Sequence, residues 1–423
     1  MSHSSTDAHN TAPRRPSRAA VATGLMWALV LALVPILLQH RYAGIPHRST
    51  VGWDYNIFIH AAGRILHGQS PYTVPGYTYT PLLAILMAPL AHLSIIHAWK
   101  AWIFIELAAV VVGVGVFVVT EARGRPAWQA PLLYAFGFVT AMNFWPLERL
   151  MRLGQVDFFV VVLILISVWG QSRGKPAVRG IFLGLAALLK VWPIFNAVVL
   201  LQRGLVDRTR AIVAVVCTLL TAPIILFAFG GMSAARAFVS NTSSQRSYHL
   251  VSHSLWGTAS LLFSKTGLAR PLYVSNGVRI GLICILLPWV IGLMLLALRT
   301  PGDATLCTWN IAGCLVLVIP VSHLAYSVFL LPILWVWGAR LLNREYASWE
   351  AHAVFVVLVV WWLLQTHSWP DDLFSHHISA VRYSIVFAVN LIACTASVLG
   401  NWMIQRRGSM PGVTPADELA APA

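Results

Sequence analysis

Long apolar stretches separated by short polar breaks occupy almost the whole chain. They fall at about 20–39, 80–95, 98–119, 128–146, 156–170, 180–201, 211–230, 273–298, 306–320, 324–339, 351–366 and 380–402. Apolar runs of roughly 18 residues or more are long enough to cross the hydrocarbon core of a bilayer as helices. Several runs are shorter, or are broken by proline at Pro193, Pro288, Pro320 and Pro332. Broken helices are tolerated at membrane depth where protein buries them or where they line a wet cavity. The pattern predicts an all-α polytopic membrane protein with 11–13 transmembrane or re-entrant helices. A single membrane domain is expected over 19–403, between disordered cytoplasmic ends at 1–18 and 404–423. The run at 20–39 is long and lacks a convincing cleavage site, which predicts a retained first helix.

Two polar-aromatic loops exceed what a connection needs, at 40–79 and 231–272. Loops of that length and character more often carry function than short ones. Their sides follow from charge. The net charge is +15, but the cations sit in short clusters between apolar runs, among them Arg123 and Arg125, Arg203, Arg208 and Arg210, and Arg406 and Arg407. Basic loops are retained in the cytoplasm, so both ends are expected inside and both long loops outside. No basic stripe suits nucleic acid, and nucleic acid is excluded as a partner. Between 80 and 202 two parities remain open. Either 80–95 dips into the membrane and 180–201 forms a short hairpin, or 80–95 spans and the intervening sides swap.

With 58% hydrophobic and 10% charged residues, the chain could not cover a soluble surface of this size. Cys217, Cys284, Cys307, Cys314 and Cys394 all lie in apolar runs without metal-ligand spacing and read as small core residues. Asp371, Asp372, His376 and His377 likewise lack ligand spacing, so no metal is expected.

Against this apolar background a few polar residues stand out. Asp54 is the one acid of the first long loop, at the head of a short amphipathic segment. It reads either as a helix N-cap or as a general base toward a hydroxyl. His323, between Pro320 and Pro332 at an external turn, is structural or a proton relay and phosphate donor. Lys190 lies within an apolar run; it either snorkels to the interface or meets a lipid phosphate. Glu148, Arg149, Arg152, Gln155 and Asp157 form either a salt-bridged loop or a wall of the same cavity, the arginines holding phosphate. Tyr248, His249, His253 and Trp256 in the second loop have the side chains to cover a sugar.

The ordered set of short motifs resembles glycosyltransferase family 87, of the multi-helix GT-C architecture. Its pieces here are Asp54 with Ala61-Ala62, Gly68-Gln69-Ser70-Pro71-Tyr72, Tyr79-Thr80-Pro81-Leu82, and Gly154-Gln155. Gly184 with Lys190-Val191-Trp192-Pro193, Ser254-Leu255-Trp256-Gly257, and His323 with Leu331-Pro332 complete it, so the likeness runs from about 50 to 335. The resemblance implies a GT-C fold and an enzyme taking its sugar from a polyprenyl-phosphate donor in the outer leaflet of the plasma membrane. It implies Asp54 as base, His323 as an assisting residue, and Lys190, Arg152 and Arg149 at the donor phosphate. Tyr55, Glu148, Gln155, His249, His253 and Trp256 are the corresponding sugar or acceptor contacts. The donor arrives activated as a phosphate ester, so no cofactor is implied. Asp54 is followed by Tyr55 rather than by the second acid many GT-C enzymes carry, which argues against metal dependence. Within the family the likeness favours transfer of mannose to a phosphatidylinositol mannoside, with arabinofuranose transfer in cell-wall arabinan as the alternative. A lipid-linked-sugar flippase is the non-enzymatic alternative, but its inverted repeats are not visible.

Overall fold

Helices form wherever the apolar runs continue, and stop where Gly, Pro or a polar turn removes backbone partners. The structure is a computed structural model describing residues 18–43, 51–203, 205, 207–244, 252–266, 268–343, 345–346, 348–366 and 380–408. Of the expected disordered ends at 1–18 and 404–423, residues 1–17 and 409–423 lie outside these residues, as do His249 with Tyr248 and the segment at 371–377, whereas Arg18 and 404–408 are helical. Among the described residues there is no β-strand. The α-helices are α1 (Arg18–Ala43), α2 (Trp53–Leu66), α3 (Pro81–Met87), α4 (Ile95–Glu121), α5 (Gln129–Met142), α6 (Trp145–Leu153), α7 (Asp157–Ser172) and α8 (Pro176–Leu189). There follow α9 (Arg208–Leu219), α10 (Thr221–Ala228), α11 (Gly231–Ser244), α12 (Leu255–Phe263), α13 (Asn276–Arg299), α14 (Ala304–Val318), α15 (Leu331–Leu342), α16 (Trp349–Leu363) and α17 (Ala380–Gly408).

Among the described residues, six helical stretches can cross a membrane by length and composition: Ala19–His40, Ile95–Glu121, Arg208–Ala228, Asn276–Arg299, Leu324–Leu342 and Ser384–Arg407. A seventh arises if α6 and α7, bent by 118°, count as one broken span. The protein is thus an all-α multi-pass membrane protein. Six further apolar helices are shorter, among them Pro81–His92 and Trp192–Leu201. A helix of about 12 residues reaches roughly 18 Å, well short of the ~30 Å hydrocarbon core. The runs at 80–95 and 180–201 are therefore built from pieces that cannot cross alone.

The centre is formed by α4, α7, α14 and α15. Residues 306–317 of α14 are all buried, as are Trp335 and Trp337 of α15. A buried indole needs a partner for its N–H, and each has one: Trp335 donates to Thr140 Oγ1 and Trp337 to Ser397 Oγ, both at 2.8 Å.

Three details differ from the sequence-based expectation. The 148–157 cluster is not a loop: Pro146 opens α6, and Gly154, at φ +73°, ends it in the left-handed region. The second long loop is largely helical, since α11 and α12 both lie in it. Cys307, Cys314 and Cys394 are buried, but Cys217 and Cys284 are exposed, because α9 and α13 are peripheral helices turned mostly outward.

At the end of the bundle away from α2, one cation gathers four elements. Arg340, in the last turn of α15, pairs with Glu121 at 3.4 Å, Asp303 at 3.1 Å and Glu345 at 2.7 Å. Glu121 and Asp303 are only 3% and 6% exposed, so their charges depend chiefly on this guanidinium, with Arg125 3.7 Å from Glu121 as a second cation. We expect Arg340→Met to destabilise the detergent-purified protein by about 3–5 kcal/mol, the cost of stranding buried partners. Glu345→Gln, at a half-exposed pair, should cost less than about 1 kcal/mol. Thermal unfolding of both variants checks this; equal Tm values would remove the hub from the account of stability.

Candidate active site

Asp54 enters the fold through two glycines. A side chain at Gly52 would put its Cβ 2.5 Å from the Leu153 carbonyl oxygen, and one at Gly154 would put it 2.5 Å from Tyr55 Cβ. Backbones therefore meet where α2 begins and where α6 breaks into α7. That approach brings the second residue of α2 against the residue after Gly154. Asp54 Oδ2 accepts a hydrogen bond from Gln155 Nε2 at 2.6 Å. The N-cap of α2 is Gly52, without any side-chain capping bond. Asp54 therefore does not cap the helix, although a carboxylate in a first turn is favoured by the helix dipole.

Gln155 continues inward. Its Oε1 accepts from the Tyr79 hydroxyl at 3.1 Å and from Lys190 Nζ at 3.3 Å. Lys190 ends α8, where the chain turns extended before Pro193 and a 3-10 stretch, Trp192–Leu201. Its ammonium bonds both oxygens of Asp157, at 2.7 and 2.8 Å. Lys190 is 7% exposed and Asp157 is fully buried. An unpaired charge at such depth would cost several kcal/mol, so the pair holds together as a unit. The ring of Tyr326 lies 4.1 Å from Nζ, a cation-π contact.

The tyrosine-rich motif before α3 supplies the third wall. Tyr77 donates to the Thr80 carbonyl at 2.7 Å and Tyr72 to the Tyr79 carbonyl at 3.1 Å. Thr80 Oγ1 in turn donates to the Leu188 carbonyl, fastening the motif beside Lys190. Phe58 meets Tyr79 edge-on at 4.8 Å, tying the motif back to α2.

His323 begins the 3-10 segment Leu324–Leu330, and its ring lies 6.0 Å from that of Tyr326. The turn carrying it is clamped by the second loop. His253 N donates to the Ser322 carbonyl at 2.6 Å, Ser322 N donates to Ser252 Oγ at 2.7 Å, and Trp256 Nε1 donates to the Val318 carbonyl at 2.6 Å. The Ser-Leu-Trp-Gly motif is thus an anchor for the histidine turn. Asp54, Gln155, Lys190, Tyr326 and His323 form one connected series.

Other candidates lie around this series. Arg149 on α6 acts on Asp54 through its charge. Arg152 pairs with Glu148 at 2.6 Å and stacks on Trp145, a half-exposed arrangement one helical turn from Gln155. Tyr55 points away: its fully buried ring packs against Trp99 and Trp102. His249 is not among the described residues. Tyr79 and Tyr326 were not singled out by sequence reasoning as site side chains, and Asp157 only as one member of the polar cluster read as a possible cavity wall. Their only signals were a motif position, membership of the 148–157 cluster, and nearness to His323.

The electrostatics of Asp54 follow from this setting. Burial pushes its carboxyl up to about 6, and the Lys190 charge and the Gln155 hydrogen bond pull partly against that. Asp157 adds to the rise and Arg149 to the opposition. A carboxylate so placed is ionised at neutral pH yet basic enough to accept a proton.

Residues 77–366 match the family model of glycosyltransferase family 87. The chain is 29% identical to a polyprenol-phosphate-mannose-dependent alpha-(1-2)-phosphatidylinositol mannoside mannosyltransferase of Mycolicibacterium smegmatis, over 48% of this chain and 51% of that protein. To the protein of that name from Mycobacterium tuberculosis it is 22% identical, over 93% of this chain and 94% of the relative. An alpha-(1->3)-arabinofuranosyltransferase of Corynebacterium glutamicum is 23% identical over 42% of each chain. The alignments to the first of the curated relatives span about a third to a half of those proteins. Asp54 precedes the family match, whereas Gln155, Asp157, Lys190, His323 and Tyr326 fall inside it. Because that match covers more than half of the chain, this multi-pass membrane protein belongs to glycosyltransferase family 87.

Proposed function

We propose that the protein transfers mannose from polyprenyl-phosphate-mannose to a phosphatidylinositol mannoside, forming an α-1,2 linkage on the extracytoplasmic face. The names of the two mycobacterial relatives support the donor and the acceptor class. The basic clusters between apolar runs support the side. The observation that carries the chemistry is Asp54: a half-buried carboxylate held at one oxygen by Gln155 at 2.6 Å, with a cation beneath.

In this mechanism Asp54 takes the proton of the acceptor hydroxyl while that oxygen attacks the anomeric carbon of the donor. The carbon–oxygen bond to the phosphate breaks, and polyprenyl phosphate leaves with both electrons and its negative charge. One displacement inverts the anomeric centre. The leaving phosphate needs cations or donors as its charge develops. Arg149, Arg152 and His323 are the residues proposed for that task. His253 and Trp256 hold the His323 turn from behind and flank the sugar. Asp54 is a single base, which suffices because the leaving group is already a good one.

The purified protein, given polyprenyl-phosphate-mannose and a phosphatidylinositol mannoside, should form the mannosylated lipid. Asp54→Asn and Asp54→Ala should each lose roughly 10²–10⁴-fold in kcat, the range for removing a general base. Full activity in both variants, or no mannosyl transfer by the wild type, sinks the proposal. For His323→Ala the expectation is a fall of about 10–10²-fold in turnover with monodisperse protein after extraction. Loss of soluble, monodisperse material would instead assign His323 a structural role.

A further inference from the structure

Beneath Asp54 lies a set of contacts that the transfer step does not itself use. An ammonium carries three N–H donors and no acceptor. Three oxygens surround that of Lys190: Asp157 Oδ1 at 2.7 Å, Asp157 Oδ2 at 2.8 Å and Gln155 Oε1 at 3.3 Å. The Tyr326 ring covers it at 4.1 Å. With those donors engaged and one face capped, Lys190 has nothing left for a substrate phosphate. Its charge is also balanced, by a fully buried carboxylate at bonding distance.

The consequence falls on Gln155. Since an ammonium only donates, the amide oxygen must face Lys190, and the amide nitrogen must face away. The Tyr79 hydroxyl, 3.1 Å from that oxygen, donates to it in this orientation. Gln155 is 6% exposed, so water does not compete freely for it. The nitrogen it turns outward is the one 2.6 Å from Asp54 Oδ2.

We infer that Gln155, oriented by Lys190 and Tyr79, is a positioning residue that grips one oxygen of Asp54 and leaves the other aimed at the acceptor hydroxyl. Lys190 acts through Gln155 and not on the donor. This rests on Asp54 being the base. The charged and titratable groups facing Asp54 are Arg149 from α6, Asp157 from α7, Lys190 after α8, and Tyr79 and Tyr326 from the flanking segments. Among the described residues, Gln155 is the hydrogen-bond partner of the Asp54 carboxylate. Removing it deprives the ionised form of a donor, so deprotonation becomes harder and the pH needed for activity rises.

Lys190→Met would strand the Asp157 carboxylate and fail to fold, so the informative variants are Gln155→Met, Tyr79→Phe and Lys190→Arg. Gln155→Met keeps the chain length and removes the amide. Its acid limb in kcat/KM should move to higher pH than that of the wild type. Its plateau kcat should fall about 10–10²-fold, as for a misaligned catalytic group, with donor KM within about threefold. Tyr79→Phe should shift the limb the same way by less. Lys190→Arg keeps the charge opposite Asp157 and should fold, losing kcat rather than donor affinity. The inference is overturned if Gln155→Met is monodisperse and has the wild-type limb and kcat. It is equally overturned if Lys190→Arg raises donor KM while leaving kcat and the limb in place, which would put Lys190 on the phosphate. A wild type with no acid limb, together with an active Asp54→Asn, would instead defeat the base reading itself.

Discussion

The buried pair of Lys190 and Asp157 is the constraint on which the site depends. Neither charge is tolerable alone at that depth, so each fixes the other, and together they tie the start of α7 to the end of α8. The same ammonium reaches Gln155, and Gln155 reaches Asp54. A half-buried carboxylate in the first turn of α2 is thereby held by a chain of contacts that begins in the interior. For the proposed base this arrangement reconciles two demands: enough burial to raise its proton affinity, and enough hydrogen bonding to keep it ionised and aimed.

Backbone geometry makes that chain possible. The left-handed turn at Gly154 breaks one long apolar run into α6 and α7, and the bend exposes Gln155 to α2. Gly52 lets the first turn of α2 come within contact of the broken end. A side chain at either position would push the two elements apart. The tyrosine motif and the Ser-Leu-Trp-Gly motif do similar work from the other sides, one fastened to Leu188 and the other to Val318 and Ser322. Several motif residues thus act as scaffolding around a few polar groups.

Much of this was legible in the sequence. The apolar runs alone pointed to an all-α membrane protein, and 80–95 and 180–201 were visible as ambiguous, either a dip and a short hairpin or full spans. Asp54, Gln155, Lys190 and His323 stood out because polar groups are costly in so apolar a chain. What the sequence could not reveal was pairing. Asp157 looked like one member of a local cluster with Glu148 and the arginines, yet its partner is Lys190, 33 positions away. Tyr55 looked like a site residue because it follows Asp54, but helical geometry turns adjacent side chains about 100° apart and sends it into the core. Tyr326 gave no signal beyond its nearness to His323, since an aromatic in an apolar run reads as core until a buried cation is found over its ring.

The most direct test of the central claim is the pH dependence of kcat/KM for mannosyl transfer by the wild-type protein. In the proposed mechanism ionised Asp54 is the active form, and burial pushes its carboxyl up to about 6. The rate should therefore climb tenfold per pH unit below that value and level off above it. A profile flat down to pH 4, or an acid limb at the ordinary aspartate value near 3.9, would contradict the account of a buried, network-held base.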